Sequence, residues 1–390
     1  MIAQTLVVAG LRASGSGYPN AEQTLKLLQA HEVARIRDLG RELPPHLHLW
    51  TLRHLSPLKQ LRALAGLGLG NLCSLLRVLW VARGGESVPV YVPYPSVFFM
   101  WLASWLPRGI RPYCIVDAYI SIWDSMFRDR DRDRSGGGSA ASRWIKRFEA
   151  RALRAASMVL VDTEANRLSM IDDFDLQPQR VRSLPLAIDE APFLAVPSGV
   201  EDSHEPLRVL FVGTLIPLHG VPTILSAIQR LLSDERHAGR FHFRFIGDGQ
   251  LGPALSEFIA GHDATQVSWV RQWQSLEALA SEIAGADICL GVFGGEGKAA
   301  RVLPFKLYMY LAAGRAIVSQ GKMSLPHAVP APPLLAVETA DANDLARALA
   351  SLAEDSRRRY SLARQARGYF TEHLAGARVV SAWRSILQRE

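Results

Sequence analysis

The sequence predicts an α/β protein made of two Rossmann-like domains. Three observations carry this. The chain has 390 residues, room for two to three domains of ordinary size. Its two halves open alike, each on a short apolar run, a glycine-bearing loop and a helix pattern. Further apolar runs follow in both halves with helix patterns between most of them, which is the sign of parallel βαβ units.

In the first half, residues 5–9 (Thr-Leu-Val-Val-Ala) read as the first strand. Gly10, Gly15 and Gly17 follow, and a helix pattern begins near Asn20. Residues 89–92, 113–116 and 158–161 are the later strands. Residues 128–134 alternate Arg and Asp, and 135–142 are rich in Gly and Ser, so together they read as a mobile loop. Residues 195–206, with Pro197, Ser198, Gly199 and a polar run, are the best linker. A boundary near residue 200 gives domains 1–200 and 201–390, and the last helix is a candidate to pack back on the first domain. In the second half, residues 208–212 are a strand, Gly213 and Gly220 follow, and 221–232 form a helix. Strands are then predicted at 243–246, 267–270, 288–292 and 316–319.

Composition narrows the class. Hydrophobic residues are 48% and charged residues 21%, an ordinary globular balance. Cys73, Cys114 and Cys289 are too few and too far apart for a disulfide framework or a zinc motif. They fit a reducing compartment. The net charge is +7, and 38 of the 44 basic residues are Arg. Such a balance suits a phosphorylated substrate, an anionic membrane surface or a nucleic acid. No zinc finger, RNP-like strand or Lys/Arg block is present, so no nucleic-acid partner is expected. The first ten residues lack a basic n-region and read as a strand rather than a signal peptide.

The best transmembrane candidate, 63–76, lies between Arg62 and Arg77 and holds three glycines and Asn71. At about 1.5 Å per residue it spans about 21 Å, short of the roughly 30 Å hydrocarbon core. Residues 61–81, with Trp80, and 97–106 admit two readings. They are core helices of a Rossmann-like domain, or a membrane-facing side with aromatic and Arg residues at the interface. The expected location is cytoplasmic, with peripheral contact at the inner face of the cell membrane.

The richest segment runs from Ala286 to Gln320. A buried strand ends near Val292, and a glycine loop then presents Glu296, Lys298 and Arg301. Pro304 opens a helix carrying Lys306, Tyr308 and Met309, and Gly314 ends it. Cations and one carboxylate therefore gather where a parallel strand ends and a helix begins, which is where open α/β sheets bind ligands and which favours phosphate. Arg and Lys neutralise a diphosphate, and a Glu accepts hydrogen bonds from sugar hydroxyls. Gly213 opens a loop whose N–H groups suit a phosphate or make a plain turn. His219 suits a diphosphate or solvent. Asp248, in the turn Gly247-Asp248-Gly249, lies near a nucleotide or caps the next helix. Trp273 stacks on a base or belongs to the core. Asp117, just after an apolar strand, is a candidate to orient an acceptor hydroxyl or act as a base. No hydrolase triad pattern, H-E-x-x-H or Walker loop appears.

This segment resembles the donor-site signature of family 4 retaining glycosyltransferases, which have the GT-B fold. More narrowly it is similar to a subgroup from bacterial surface-polysaccharide clusters, with a Phe-Gly loop, a Lys and an Arg, then a Pro-x-Lys-x-Tyr helix start. Supporting matches are 211–221, Phe245-Ile-Gly247-Asp248-Gly249-Gln250, Ala286-Asp287, 17–22 and Asp117-x-x-x-Ser121-x-x-Asp124. The resemblance is dense from about 208 to 320. It implies GT-B domains facing across a cleft, a nucleoside-diphosphate sugar donor bound by the second domain, and a glycan or lipid-linked acceptor bound by the first. It also implies retention of configuration, no cofactor and no metal. Gly17, Gly213, Thr214, His219, Gly247, Asp248, Trp273, Lys298, Arg301, Lys306, Tyr308 and Met309 would then line the donor and its diphosphate. Asp117 and Glu296 would be catalytic.

Two departures stand out. The family has two glutamates separated by seven residues. Glu296 fits the first, but the second position is Met309, after twelve intervening residues. Met cannot accept a strong hydrogen bond from a ribose hydroxyl. The family's Arg and Lys after the second-domain glycine are Thr214 and His219 here, so Lys298, Arg301 and Lys306 are left to neutralise the diphosphate. An alternative reading is therefore a catalytically silent relative that serves as a scaffold or binding partner. A third is a nucleotide-sugar epimerase or hydrolase.

Overall fold

A computed structural model describes residues 4–13, 19–43, 56–83, 88–128, 139–199, 205–237 and 239–388. Gly15, Gly17, residues 129–138 of the Arg/Asp and Gly/Ser run, and 200–204 of the linker lie outside the described residues. The chain divides into two compact units, Met1–Ile188 with Gly376–Glu390, and Asp189–Ala375.

The first unit runs β1 (Gln4–Val8), β2 (Leu11–Arg12), α1 (Pro19–Ala30), β3 (Ala34–Asp38), β4 (Arg41–Glu42), α2 (Pro57–Ala82), β5 (Val90–Val92) and α3 (Val97–Ala103). It continues through β6 (Cys114–Asp117), α4 (Ala140–Arg154), β7 (Met158–Val161), α5 (Glu164–Phe174) and β8 (Val181–Ser183). Six strands form one sheet in the order β3-β1-β5-β6-β7-β8, every pair parallel. Strand side chains alternate between faces. Val7, Val90, Val92, Val116 and Val159 enter one core with residues of α2, α3, α4 and α5. Leu6, Val8, Tyr91, Ile115 and Leu160 enter the other, with Leu28 of α1 and Val379, Trp383 and Ile386 of the last helix, Gly376–Gln388. Both faces are thus covered, as parallel sheets require.

The second unit runs α6 (Ala191–Ala195), β9 (Leu207–Val212), α7 (Val221–Ser233), β10 (Phe241–Ile246), α8 (Gly252–Ala260), β11 (Val267–Val270), α9 (Leu276–Ala284) and β12 (Ile288–Leu290). It ends with α10 (Lys298–Arg301), α11 (Phe305–Ala312), β13 (Ala316–Gln320), β14 (Leu335–Val337), α12 (Ala342–Glu354) and α13 (Ser356–Tyr369). Its sheet order is β11-β10-β9-β12-β13-β14, again all parallel.

The central strands lie where the apolar runs place them. Three edge strands, β3, β8 and β14, carry no apolar-run signal, because an edge strand hides less of itself and tolerates polar residues. β3 reads Ala-Arg-Ile-Arg-Asp, and only Ala34 is fully buried there. The boundary also moves, from near residue 200 to Ile188/Asp189. The reason is hydrogen bonding. Arg367 donates to Val196 O at 2.6 Å and Ala312 O at 3.1 Å. The buried Arg315 donates to Pro197 O, and Gly199 N–H donates to Gly314 O. Residues 191–199 therefore belong to the second unit although their composition reads as a linker.

The two apolar stretches of the first half part company. α3 is a core helix, with Val97, Phe99, Met100 and Ala103 buried. α2 extends well beyond 63–76 to 26 residues. Its stretch Leu58–Ala82 is long and apolar enough to cross a membrane by length and composition. Only one side of it is packed on the sheet.

Candidate functional site

The site forms where β9, β10, β12 and β13 end. Val212 closes β9, and its N–H donates to the buried Tyr310 hydroxyl of α11 at 2.9 Å. This ties the helix to the strand. Gly213 follows with φ of 143°, and its N–H bonds Ile246 O at 3.0 Å. A Cβ built on Gly213 would lie 3.0 Å from Lys306 Nζ and 3.3 Å from His219 Cε1. The positive φ favours glycine here, and the cation lies close beneath the backbone.

Lys306 is buried, with Nζ 3.7 Å from the centre of the Phe211 ring and 3.5 Å from Gly291 O. No carboxylate among the described residues pairs with it. Burial pushes its pKa well below the ordinary lysine value. His219 closes the turn Pro217–His219, with Nδ1 2.5 Å from Thr214 O. A carbonyl only accepts, so Nδ1 carries a proton and Nε2 is the ring's remaining polar atom. Burial first, then the Lys306 charge, holds the His219 pKa well below the usual value.

Gly247 follows β10 with φ of 112°, and a Cβ there would meet Gly213 O at 2.5 Å and the Trp273 ring at 3.5 Å. Trp273 is 55% exposed and is not core. Asp248 accepts from Gly249 N–H at 2.8 Å and pairs with Arg271 at 3.0 Å. It does not cap α8, whose N-cap residue is Leu251 with no side-chain cap. Gly213, Thr214, His219, Lys306, Gly247, Asp248 and Trp273 thus form one neighbourhood.

The glycine loop after β12 joins it by close backbone contact. A Cβ on Gly220 would lie 2.3 Å from Phe293 C and O, and one on Gly294 would lie 2.0 Å from Leu218 O. α10, bearing the half-buried Lys298 and Arg301, packs against the 217–219 turn. Gln320, fully buried at the end of β13, latches the loop from below. It accepts from Gly295 N–H at 3.0 Å and donates to Gly295 O at 3.1 Å and Lys322 O at 2.8 Å. Gln320, Tyr310 and Lys322 escape the motif reading. Two polar residues, Ser319 and Gln320, closing a buried apolar strand are the signal that marks Gln320.

Three predicted residues are paired or buried in this structure. Glu296 is exposed and paired with Lys322 at 2.6 Å. Tyr308 is fully buried and Met309 is 7% exposed, so both lie in the interior of α11 rather than on an open surface. Asp117 closes β6 in the first unit and is only 2% exposed. Its Oδ2 accepts from Tyr91 OH at 2.5 Å, and its Oδ1 has no hydrogen-bond partner among the described residues. Burial raises its pKa to about 7, against the lowering effect of Tyr91. Nearby, the buried Glu149 accepts from Ser121 Oγ and from the N–H groups of Ile122 and Trp123, and burial raises its pKa to about 7 as well.

Between the ordinary carboxylate range and about 7, the folded state holds protons that the unfolded state has released. Both groups therefore make stability fall as pH rises through that window. The stability of the wild type relative to Asp117→Asn should therefore fall as pH rises from about 4 to about 7, read as the difference between their melting temperatures. A difference that stays constant with pH would show that Asp117 does not contribute. Among the described residues, no group of three or more His, Cys, Asp or Glu could hold a metal ion.

Two Rossmann-like halves with parallel sheets, together with the likeness to the solved structures below, give the GT-B fold. Residues 206–355, within the second unit, match the family model described as "Glycosyl transferases group 1". No curated protein matches the chain. Among solved structures it is similar to HepE from Anabaena in complex with UDP, at 13% identity and a TM-score of 0.63, covering 99% of this chain and 100% of that one. Sucrose-phosphate synthase from Thermosynechococcus elongatus is similar at 16% identity and a TM-score of 0.66, covering 99% and 98%. So is an E. coli structure described as trehalose-6-phosphate bound with UDP-2-fluoro glucose, at 13% identity and a TM-score of 0.67, covering 99% and 98%.

Proposed function

We propose that the protein is a retaining glycosyltransferase. It moves a sugar from a nucleoside diphosphate to a hydroxyl of a lipid-linked glycan in bacterial surface-polysaccharide synthesis, in peripheral contact with the membrane. The observation that carries this reading is Lys306, a buried cation without a carboxylate partner, set under a glycine at the carboxyl end of a parallel strand. A buried charge is costly unless something compensates it, and a diphosphate does so.

In this reading Lys306 and protonated His219 hold the diphosphate, with the N-termini of α7 and α11, neither of which has a side-chain cap. They stabilise the charge that develops on the leaving group. Lys298 and Arg301 add charge from the loop. Glu296 turns from Lys322 to the sugar hydroxyls, and Trp273 offers its exposed ring to the base. Asp117 Oδ1 accepts from the acceptor hydroxyl in the first unit. HepE structures hold UDP and UDP-glucose, which makes a uridine nucleotide the first donor to try.

Met309 favours a second reading, a silent scaffold, because a thioether replaces the carboxylate the family places there. Calorimetry with UDP, GDP, dTDP and ADP separates the two. Selective binding of one nucleotide is the expected result. Binding by none overturns the donor site and leaves the scaffold. A large gain in turnover by Met309→Glu would point to a lost activity, and a neutral or harmful effect to a rebuilt site.

A further inference from the structure

We infer that the outer surface of the α2, α3 and α4 layer docks on an anionic lipid bilayer, with α2 lying in the plane of the interface rather than across the membrane. On α2, Leu58, Leu61, Ala65, Leu69, Leu72, Leu76 and Trp80 recur every three or four residues, which places them on one helical stripe. That stripe is open: Leu61 is 65%, Leu69 63% and Trp80 70% exposed. The opposite side is packed, with Leu67, Leu75 and Val78 buried.

The packed side also carries polar ties. Asn71 Oδ1 accepts from Leu11 N–H at 3.1 Å, and Ser74 Oγ accepts from Gly10 N–H at 2.9 Å and donates to Leu39 O at 3.1 Å. A spanning helix would break these bonds. It would also set Arg62 and Arg77, fifteen residues and about 22 Å apart, within a hydrocarbon core of about 30 Å. Lying flat, α2 immerses the stripe and keeps both the bonds and the charges satisfied.

The charge on the layer chooses the occupant. α2, α3 and α4 contain one acidic residue, Glu149, and it is buried. Arg143, Arg147, Arg151 and Arg154 are exposed on α4, as are Trp144 on α4 and Trp105 just after α3, at 63% and 61%. α2, α3 and α4 share one core on one face of the sheet, so their outer sides face the same way. A second copy docking patch to patch would set like charges together. Anionic headgroups neutralise them, and interfacial aromatics suit the headgroup level. This deepens the lipid-linked acceptor reading and rests on it only for what the contact serves.

The test uses the full chain, with no nucleotide or acceptor, and vesicles of phosphatidylcholine with about one third phosphatidylglycerol. Co-sedimentation is expected on these vesicles, weaker in high salt and much weaker on phosphatidylcholine alone. The double variant Leu69→Gln/Leu76→Gln should lose binding by about tenfold or more, and Arg147→Glu should weaken it. The melting temperature checks that both variants fold. Equal binding to neutral vesicles, or undiminished binding by the double variant, overturns the proposal. So does a wild-type dimer by light scattering that the double variant dissolves, since a second copy would then own the stripe. Vesicle binding intact with nucleotide binding absent would instead sink the glycosyltransferase reading and leave this surface standing.

Discussion

Lys306→Met is expected to weaken nucleotide binding sharply and raise the melting temperature at once. The lysine is buried against the Phe211 ring, and burial alone drives its pKa well below the ordinary value. The fold therefore bears a desolvation cost that nothing in the free protein fully repays. Methionine fills similar volume without charge, so stability should rise by about 1–3 kcal/mol, or several degrees. Losing a charge-assisted bond to phosphate should weaken binding by about ten- to a hundredfold. Lower stability with unchanged nucleotide affinity would sink this account.

The same lysine sets a pH signature. With its pKa lowered on folding, the unfolded state binds more protons, so its contribution makes stability rise with pH, and the variant loses that slope. A nucleotide requires the charged form of Lys306, and of the similarly shifted His219. Binding should take up protons and weaken as pH rises. Calorimetry of the wild type in two buffers of different ionisation enthalpy measures that uptake directly.

Gly220→Ala is expected to be strongly destabilising. Its φ of 69° costs a non-glycine residue about 1–2 kcal/mol. The new Cβ would meet Phe293 backbone at 2.3 Å, and a backbone atom cannot rotate aside as a side chain can. Overpacking adds about 1–3 kcal/mol. The melting temperature should fall by about 5 °C or more, with loss of nucleotide binding as the 293–295 loop shifts. Gly68→Ala is the control. Its Cβ meets nothing within 4 Å, and alanine in the interior of α2 should raise stability by up to about 1 kcal/mol. Equal effects of the two variants would rule out the backbone contact as the cause.

Much of the donor-side arrangement is legible in residue order. Gly213 and Gly247 mark turns after strands, and Pro304 and Gly314 bracket α11 as their chemistry dictates. Lys306 is legible as a cation at a helix start. Its burial is not, because that depends on Phe211, 95 residues away in sequence. Glu296 is legible as a loop carboxylate, yet its Lys322 partner comes from beyond β13. Gln320 hides in plain view, since only the folded loop shows what its amide holds.

By itself the sequence determined the two βαβ halves, the central strands and the glycine turns that precede helices. Those features follow from local periodicity and backbone freedom, which a chain carries wherever it folds. Tertiary structure alone decided the edge strands β3, β8 and β14 and the boundary at Ile188/Asp189. It also decided which side of α2 is packed and which cation is buried. These depend on partners far apart in sequence, and burial is a property of the packed assembly rather than of any residue within it.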